Sequence, residues 1–324
     1  MNSLEKYNLK SIEYIRGVKV LTWQLFSNCN YNCSYCFEHK SDMLKYNLEE
    51  LKAFSKKLYE FHKFYNLEWL DIFGGEVTLL KSKDLVSLLE PFKEEKNLQI
   101  NITTNFSREN EYFKEIIDSM SNIKNIWFTT SCHLEHVKLE EFFNKVVNLL
   151  DMYSYAKNLR VRINKVVNKN NEEIAYRMFR IVKALKKKYK ILSIEFAEEF
   201  SWNKEGTITE LYDSSSACEK YPEMISNFTQ RHEYKFIFKD GTEKIGYNLD
   251  ILKEYPKYFN TKGCICTYKN LLLLNNVLKR ECNGQTYTED FLNCDISKLN
   301  LQEPAICPND FCIEVFKKIE NPMS

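Results

Sequence analysis

The stretch VKVLTWQLFSNCNYNCSYC (residues 18–36) joins a β-like run directly to three cysteines, Cys29, Cys33 and Cys36. The apolar, β-branched and aromatic residues at 18–26 predict a strand, and the cysteines follow it in the spacing C-x3-C-x2-C. A structural zinc site uses four ligands, and a four-iron cluster takes one cysteine for each iron. Three thiolates on one loop would leave one iron of a [4Fe–4S] cluster open, as in a catalytic metal site. A small molecule with neighbouring amine and carboxylate groups could chelate that iron.

Short β-like runs alternate with amphipathic helical runs from about residue 18 to residue 200. We expect strands at 18–26, 67–75, 98–105, 123–132, 159–167 and 191–199, and helices at 47–65, 82–95, 107–120, 138–153 and 171–189. Asn47 stands at the start of the first helix and suits an N-cap. Strands in strict alternation with helices predict βα crossovers and a parallel sheet.

The predicted strands carry polar residues on one face, unlike parallel strands that helices cover on both sides. Asn101, Thr103 and Asn105 share one face of the third strand, and Arg162 and Asn164 share one face of the fifth. A complete barrel fills its interior with branched apolar side chains. An open barrel around a polar ligand therefore fits better. The alternative, an antiparallel sheet with a solvated face, is disfavoured by the intervening helices.

The composition excludes several classes of protein. The 324 residues include 46 basic and 45 acidic side chains, so the net charge of +1 gives no reason to expect nucleic acid or a membrane surface as partner. The first residues lack the apolar core of a signal peptide, and no apolar run is long enough for a membrane span, so we expect a cytoplasmic protein. In a reducing cytosol, eleven cysteines indicate metal binding or chemistry rather than disulfides.

The alternation of strands and helices ends near residue 200. Residues 201–260 are expected to bridge to a second domain, and YKFIFKDGTEKIGYN (234–248) predicts a hairpin with Asp240 and Gly241 at its turn. Residues 261–324 predict a small cysteine-rich domain. Its cysteines are Cys264, Cys266, Cys282, Cys294, Cys307 and Cys312.

The cysteine loop resembles the cluster loop of the radical S-adenosylmethionine (radical SAM) enzymes, in which C-x3-C-x2-C follows the first strand of a (β/α)6 partial TIM barrel. Tyr35 stands where that family has an aromatic residue before the third cysteine. The stretch FGGEVTL (73–79) resembles the family's GGEP motif, with Val77 in place of the proline. The resemblance covers residues 14–200 and implies an α/β fold, a (β/α)6 partial TIM barrel whose three cysteines bind a [4Fe–4S] cluster.

The same resemblance implies contacts with S-adenosylmethionine (SAM) at the carboxyl ends of the strands. The GGE glycines and glutamate would receive the methionine amino group, and TTN (103–105) stands where the family often has T-N-G, with Phe106 in place of that glycine. The fourth strand would supply a ribose or carboxylate contact and the fifth a partner for the methionine carboxylate. The implied cofactor-binding residues are Tyr35, Gly74, Gly75, Glu76, Asn105, Ser131 and Arg162. For Ser131 and Arg162 the alternative is a polar lumen residue that does not touch SAM.

The C-terminal cysteines resemble those of the auxiliary-cluster domains, SPASM or the shorter twitch, of many radical SAM enzymes. LLLLNNVLKREC (271–282) suits the hairpin of such a domain, with Asn275 and Asn276 at the turn. A full SPASM domain holds two clusters and needs more than these six cysteines, so one auxiliary [4Fe–4S] cluster is favoured. Its ligands would be Cys264 or Cys266, with Cys282, Cys307 and Cys312, and Cys294 could substitute for one of them. Tetrahedral zinc with the same ligands is the alternative.

The resemblance implies a reaction in which the reduced cluster cleaves SAM to methionine and a 5′-deoxyadenosyl radical, and this radical takes a hydrogen atom from a substrate. A flavodoxin or ferredoxin would donate the electron, and an auxiliary cluster would accept one from the substrate radical or bind substrate. Such enzymes oxidise small molecules or mature peptides. Only about a dozen residues precede the first strand, so we expect no peptide-recognition domain there. This favours a small molecule, or a peptide that a separate protein delivers.

Three residues are weak candidates for substrate-side catalytic groups. Glu195 lies in the sixth strand and should face the lumen, His133 follows the fourth strand, and Cys218 lies in SSSACEK. For His133 and its neighbour His136 the alternative is a solvated loop residue, and for Cys218 it is a structural thiol. A non-catalytic iron–sulfur or zinc-binding regulatory protein is the alternative function. It leaves the GGE motif and the polar strand face unexplained.

Overall fold

The computed structural model describes residues 9–14, 20–36, 46–153, 155–202, 208–212, 214–228, 233–247, 265–266, 271–280, 285–301 and 305–306. Its first strands are β1 (Leu9–Tyr14), β2 (Val20–Gln24), β3 (Trp69–Phe73), β4 (Gln99–Thr104), β5 (Asn125–Ser131), β6 (Leu159–Val167), β7 (Leu192–Glu198), β8 (Phe200–Trp202) and β9 (Ile208–Leu211). The later strands are β10 (Glu233–Phe238), β11 (Glu243–Tyr247), β12 (Ile265–Cys266), β13 (Leu271–Leu274), β14 (Val277–Arg280), β15 (Thr286–Thr288) and β16 (Ala305–Ile306). The α-helices are α1 (Leu48–Tyr65), α2 (Ser82–Leu89), α3 (Asn110–Ser119), α4 (Leu139–Met152), α5 (Glu172–Leu185) and α6 (Ser215–Lys220).

Strands β2 to β7 lie side by side in chain order and are parallel throughout. Each neighbouring pair is connected through one of the helices α1 to α5. The predicted alternation, the parallel sheet and the mixed α/β fold are therefore confirmed. The curvature of this sheet into a partial TIM barrel stays a prediction. Because the strands are parallel, their carboxyl ends meet at one edge of the sheet, where ligands bind in α/β folds.

The two faces of the central sheet differ as the sequence predicts. Along β6, fully buried residues alternate with half-buried ones over most of its length. The apolar face packs against the helices, which contribute the buried side chains Leu58, Phe61, Leu85, Phe113, Val146 and Met178. The opposite face carries polar side chains, among them Asn101 and Arg162. Helices thus cover one face, and the other is available to a polar ligand.

Local sequence sets the ends of two helices. The Asn47 Oδ1 atom accepts hydrogen bonds from the backbone N–H groups of Glu49 at 3.1 Å and Glu50 at 3.4 Å, which confirms the predicted cap of α1. Helix α2 ends at Leu89, earlier than expected, and a 3₁₀ turn that contains Pro91 follows it. Proline has no N–H to continue the helical hydrogen bonds. In the described ranges, no helix is both long and apolar enough to cross a membrane.

The C-terminal hairpin is part of the central sheet. Strands β13 and β14 are antiparallel, and their turn at Asn275 and Asn276 has positive φ at both residues, a conformation that asparagine tolerates well. This confirms the predicted hairpin. Strand β13 also pairs in parallel with β2, with Leu271 opposite Leu21, so β13, β14 and β15 extend the sheet to nine strands. The domain boundary expected at residue 261 stays a prediction, but this hairpin beyond it continues the central sheet.

Residues 285–301 pack against helix α1. The Phe291 side chain is fully buried, and its ring centroid lies 5.8 Å from that of Phe61. The Tyr65 hydroxyl donates hydrogen bonds to the carbonyl oxygens of Leu299 at 2.6 Å and Ile296 at 3.1 Å. These contacts attach the C-terminal segment to the same hydrophobic core that supports β2.

A second sheet has the strand order β11-β10-β1-β12-β16. The β10–β11 hairpin turns at Asp240 and Gly241, where Gly241 has φ 87°, and confirms the hairpin predicted at 234–248. Strands β8 and β9 form a separate antiparallel ribbon. Four of the C-terminal cysteines lie outside the described residues, namely Cys264, Cys282, Cys307 and Cys312, and only the backbone of Cys266 is described, in β12. The auxiliary cluster therefore stays a prediction.

If the C-terminal hairpin shares the central core, loss of the Phe291 ring should destabilise the whole unit. We expect Phe291→Ala to lower the free energy of unfolding by about 3–5 kcal/mol, the usual effect of removing a buried phenylalanine. Phe64→Ala is the matched control, because Phe64 lies on α1 near Phe61 but is 57% exposed, and we expect about 0.5 kcal/mol or less. Urea denaturation followed by circular dichroism measures both. Equal stabilities for the two variants would contradict a shared core.

Candidate metal centre

Cys29, Cys33 and Cys36 lie in the loop that follows β2, at the carboxyl edge of the parallel sheet. Cys33 is buried, Cys29 is partly buried and Cys36 is exposed, and none of the three forms a disulfide within the described residues. The backbone N–H of Cys36 donates to the carbonyl of Cys33 at 3.2 Å, which closes a turn between them. Soft thiolate ligands on one short loop fit an iron–sulfur cluster. The position and the donor set thus agree with the predicted cluster site.

The GGE motif contacts the start of the cysteine loop through the backbone. The Gly75 N–H donates to the Phe26 carbonyl at 2.8 Å, and the Glu76 N–H donates to the Asn28 carbonyl at 2.7 Å. A Cβ atom on Gly75 would collide with the Asn28 carbonyl, and one on Gly74 would collide with the Phe26 carbonyl. Glycine is therefore required where the end of β3 meets the start of the loop.

The Glu76 carboxylate is only 1% exposed and is surrounded by donors from its own chain. It accepts hydrogen bonds from the Thr78 N–H at 2.9 Å, the Thr78 hydroxyl at 2.5 Å, the Thr104 hydroxyl at 2.6 Å and the Asn105 N–H at 2.5 Å. Burial raises the pKa of Glu76, and these donors act in the opposite direction. This carboxylate ties the β3 loop to the end of β4. Its predicted contact with the methionine amino group stays a prediction.

Asn105 connects the end of β4 to the cysteine loop. Its Nδ2 atom donates to Asn30 Oδ1 at 2.7 Å and lies 3.9 Å from the Cys29 sulfur. The next residue, Phe106, replaces the family's glycine and has φ 59°, the left-handed region that glycine favours. Its ring is 3% exposed and packs on Phe113 at 4.5 Å, so burial of an aromatic side chain offsets the strained backbone.

Residues 133–136, which follow β5, contact the other side of the cysteine loop. His133 Nδ1 lies 3.3 Å from the Cys33 sulfur and 2.6 Å from the Tyr35 hydroxyl. The Glu135 carboxylate accepts from both the N–H and the hydroxyl of Ser34, at 2.9 and 2.6 Å. Sequence reasoning offered His133 only as a weak substrate-side candidate, and nothing in SCHLEH marked its contact with the cysteines.

His136 completes this contact. The backbone N–H of Asn32 donates to His136 Nε2 at 3.3 Å, and the ring stacks on Tyr31 with centroids 4.4 Å apart. Within the described residues, one group of three metal-binding side chains has its ligand atoms within 4.8 Å of one another, and it consists of Cys33, Glu135 and His136. These histidines, expected as solvated loop residues or substrate contacts, belong to the surroundings of the cysteine loop.

The Lys165 side chain also lies beside the cysteine loop. It is 3% exposed, and its Nζ atom lies 5.8 Å from the centre of the Tyr35 ring. Burial lowers the pKa of Lys165, while the neighbouring Cys132 and Glu135 act to raise it. Burial also raises the pKa of Tyr35. Sequence reasoning missed Lys165 because it lies in a strand among apolar residues, with no motif around it.

Charged side chains pair with each other on the polar face of the sheet. Arg162 lies 3.1 Å from the Glu195 carboxylate and 5.0 Å from the centre of the Trp127 ring. The Trp69 indole donates to Asp71 at 2.7 Å. Arg162 thus has an acidic partner from β7, and its predicted contact with the methionine carboxylate stays a prediction. Glu195, a weak catalytic candidate, lies on this face as expected.

The remaining candidates lie at separate places in the fold. Ser131 ends β5 opposite Asn164 of β6, and its contact with SAM stays a prediction. Cys218 lies in α6, and Tyr221 directly after that helix stacks on Tyr176 of α5 at 4.1 Å, so α6 lies beside α5. Cys294 donates to the Phe291 carbonyl at 3.3 Å. Its role as a substitute ligand also stays a prediction.

The first third of the chain matches the model of a known family. Residues 16–118 match the model of the 4Fe-4S single cluster domain. This part of the chain is similar to that domain. The match spans β2, the cysteine loop, the GGE motif and β4. It supports the predicted [4Fe–4S] cluster and the resemblance to the radical SAM enzymes, whose cluster loop has the same cysteine spacing.

Solved structures resemble the chain at low identity. SuiB from Streptococcus suis is 19% identical with a TM-score of 0.46, and the match covers 65% of this chain and 49% of SuiB. A histidine-tagged anSMEcpe with bound AdoMet is 15% identical with a TM-score of 0.48, over 87% of this chain and 81% of that one. BtrN in complex with AdoMet and 2-DOIA is 14% identical with a TM-score of 0.33, over 56% and 70%.

The match spans about half the length of SuiB. The activity of the whole of SuiB is therefore not assigned to this chain. No curated protein matches the chain. Two of these three structures hold AdoMet. The AdoMet is a property of those two proteins, and the binding of SAM by this chain belongs to the proposal below.

The carboxyl of Asp71 should make stability depend on pH. Burial raises its pKa in the folded chain, so the folded state keeps a proton that the unfolded state releases above about pH 4. The contribution of Asp71 to the free energy of unfolding should therefore fall as the pH rises from there to the raised pKa. Asp71→Asn should remove this fall and be more stable than the wild type at neutral pH, as urea denaturation between about pH 4 and pH 8 would measure.

Asp118→Asn is the control of opposite sign. The Lys114 ammonium and the Tyr153 hydroxyl hold the pKa of Asp118 below its usual value. This carboxylate stabilises the fold above its unfolded pKa, and the stabilisation is lost as the pH falls, so the variant should be slightly less stable at neutral pH. If Asp71→Asn were also less stable at neutral pH, the assignment of Asp71 as a desolvated carboxyl would be wrong.

Proposed function

We propose that the chain is a radical SAM enzyme that abstracts a hydrogen atom from a small-molecule or peptide substrate. The observation that carries this proposal is the position of the three-cysteine loop inside the matched 4Fe-4S region, at the carboxyl edge of a parallel sheet and against the GGE motif. When bound, the cluster and SAM together supply one-electron cleavage of SAM to methionine and a 5′-deoxyadenosyl radical. The protein's part is to bind, orient and shield the cofactor and the substrate.

In this proposal, Cys29, Cys33 and Cys36 would hold the cluster and leave one iron for SAM. Ser131 and Arg162 would contact SAM from β5 and β6, and Tyr35 would lie beside it. The Glu76 side chain has four donors of its own chain. For that reason we assign the GGE motif first to shaping the loop and second to receiving the amino group of SAM.

The polar face of the sheet supports a polar substrate. Arg162 and Glu195 form an ion pair there, each about one-fifth exposed, and Asp71 lies on β3, with β4 and β5 between it and Arg162. Charged groups held in a partly desolvated site bind ligand groups of complementary charge more strongly than they would in water. Glu195 is our candidate for a substrate contact on this face. Two further candidates lie elsewhere, His133 after β5 and Cys218 in α6. The choice between a small molecule and a peptide stays open.

The wider architecture belongs to the same proposal. Residues 14–200 would form the radical SAM core as a partial TIM barrel, 201–260 a bridge, and 261–324 a SPASM- or twitch-like domain with one auxiliary cluster. An auxiliary cluster would suit an oxidation or a peptide-maturation step, since it could take up an electron. The reaction would then be of oxidoreductase type, in the cytoplasm, with a flavodoxin or ferredoxin as electron donor.

The alternative is an iron–sulfur or zinc-binding protein without catalysis. The paired charges on the polar face favour the enzyme, because a purely structural cluster needs no polar surface beside it. A direct measurement separates the two functions.

Anaerobic reconstitution with iron and sulfide, followed by SAM and a chemical reductant, tests the enzyme. We expect 5′-deoxyadenosine to be released by the wild type and to fall to background in the Cys29→Ala/Cys33→Ala/Cys36→Ala variant, because this variant has no ligands for the SAM-binding cluster. Cys218→Ala is the matched control, since Cys218 lies in α6 and is a candidate for a substrate contact only. SAM cleavage in the absence of substrate does not need such a contact, so this variant should cleave SAM like the wild type. Chromatography with mass detection measures the nucleoside.

A wild type that carries a complete cluster and a reductant but releases no 5′-deoxyadenosine would favour the non-catalytic alternative. Iron and sulfide in the triple cysteine variant report on the C-terminal cysteines alone. About four irons per chain should remain if they hold a [4Fe–4S] cluster. Zinc without sulfide would reject the auxiliary cluster.

A further inference from the structure

Four consecutive residues of the cysteine loop are bonded to one short segment that lies about a hundred positions later in the chain. The segment is His133–His136, and its partners are residues 32–35. His136 accepts from the Asn32 N–H, and Glu135 accepts twice from Ser34. His133 Nδ1 contacts the Cys33 sulfur and the Tyr35 hydroxyl. Contacts at four consecutive residues differ from scattered surface contacts, because together they determine the path of the loop backbone.

Other contacts of the loop lie inside it and at its beginning. Inside the loop, one backbone hydrogen bond, from Cys36 to Cys33, closes a turn. On the opposite side, Asn105 and Ser107 contact the beginning of the loop, at Cys29 and Asn30. Ordering a loop residue costs about 1–2 kcal/mol of backbone entropy. A loop held at its beginning alone would lose this entropy at the moment of metal binding, whereas a loop held along its length is already ordered.

The segment 133–136 is itself firmly attached. The Cys132 N–H donates to the Asn164 carbonyl at 2.9 Å and thereby ties the end of β5 to β6. A turn follows, in which the N–H groups of His136 and Val137 donate to the His133 carbonyl at 2.9 and 3.2 Å. The segment therefore presents its side chains from a rigid base, as a positioning element must.

We propose that His133–His136 is a clamp that holds the cysteine loop in its cluster-binding conformation, and that a hydrogen bond from His133 to the Cys33 sulfur raises the reduction potential of the bound cluster. The inference rests on the proposed function in so far as a cluster binds at this loop. The clamp residues are positioning residues, since they act through the cysteines. The clamp gives a structural role to the stretch SCHLEH (131–136), for which the sequence alone indicated no contact with the cysteines.

The His133 contact has a chemical consequence. A thiol can donate its hydrogen to Nδ1, but a metal-bound thiolate can only accept. In the loaded site, the His133 ring bonds Cys33 when Nδ1 carries the hydrogen, and the Tyr35 hydroxyl can then accept from it or turn to another partner. A hydrogen bond to a cluster sulfur stabilises the more negative, reduced state and raises the reduction potential. His133 should therefore make the cluster easier to reduce.

The clamp is tested by removing its three polar side chains together. We expect His133→Ala/Glu135→Ala/His136→Ala to lose iron to a chelator about tenfold faster than the wild type, since a factor of ten corresponds to the net effect of one or two ordinary hydrogen bonds and the contacts of Glu135 and His136 are exposed to solvent. The control replaces the exposed charged residues that follow, in Lys138→Ala/Glu140→Ala/Glu141→Ala. Lys138 and Glu141 pair with each other at 3.8 Å on the surface, so this variant should retain iron like the wild type.

A separate pair of variants tests His133. His133→Phe keeps a ring of similar shape without a donor, and His133→Asn keeps an amide donor near the position of Nδ1. We expect the reduction potential, measured by redox titration followed by electron paramagnetic resonance, to become more negative in His133→Phe and to stay close to the wild type in His133→Asn. A merely structural role for His133 would leave the potential unchanged in both variants, provided that iron content is equal.

The outcomes separate the clamp from the proposed function. Equal iron retention in the clamp and control variants would overturn the clamp, even if the wild type cleaves SAM. Faster iron loss in the clamp variant alone would support it, even if no SAM is cleaved. Thermal unfolding of the metal-free chains shows whether the clamp variant still folds. If its unfolding temperature falls, Glu135→Gln takes its place, because an amide cannot accept both Ser34 hydrogen bonds with its two terminal atoms, and the same comparison of iron loss decides.

Discussion

The cysteine loop depends on a close backbone contact between the ends of β2 and β3. The Gly75 N–H reaches the Phe26 carbonyl and the Glu76 N–H reaches the Asn28 carbonyl, at 2.8 and 2.7 Å. Any side chain on the two glycines would collide with this backbone. The contact holds the chain up to the residue before Cys29. The first cysteine is therefore placed by backbone geometry, and the following residues need support from elsewhere.

That support comes from the next two strand ends of the parallel sheet. The buried Glu76 carboxylate binds the Asn105 N–H, and the Asn105 side chain binds Asn30. From the end of β5, His133–His136 binds the loop from Asn32 to Tyr35. Parallel strands make this possible, because they bring their carboxyl ends to one edge. One short loop is thus supported from three successive strands.

The sequence predicted the helices and strands of the fold more completely than it predicted the contacts between distant residues. The alternation of six strands with five helices, the Asn47 cap and the Asn275–Asn276 hairpin are present as expected, because each depends on residues close together in the chain. Lys165 and the clamp could not be predicted. They contact the loop from about a hundred residues away or more, and no spacing rule connects such distant residues.

The amino-acid sequence by itself determined which donor groups this protein offers and where they lie along the chain: three thiols in C-x3-C-x2-C after a strand, a glycine pair after the next strand, and polar residues on one strand face. Residue type and local spacing are sufficient for these conclusions. Only the tertiary structure decided which groups surround the thiols, that Glu76 is enclosed by its own chain, and that the Leu271–Leu274 strand joins β2. The reason is physical. Long-range packing selects partners by three-dimensional fit, and a one-dimensional pattern carries no information on that fit.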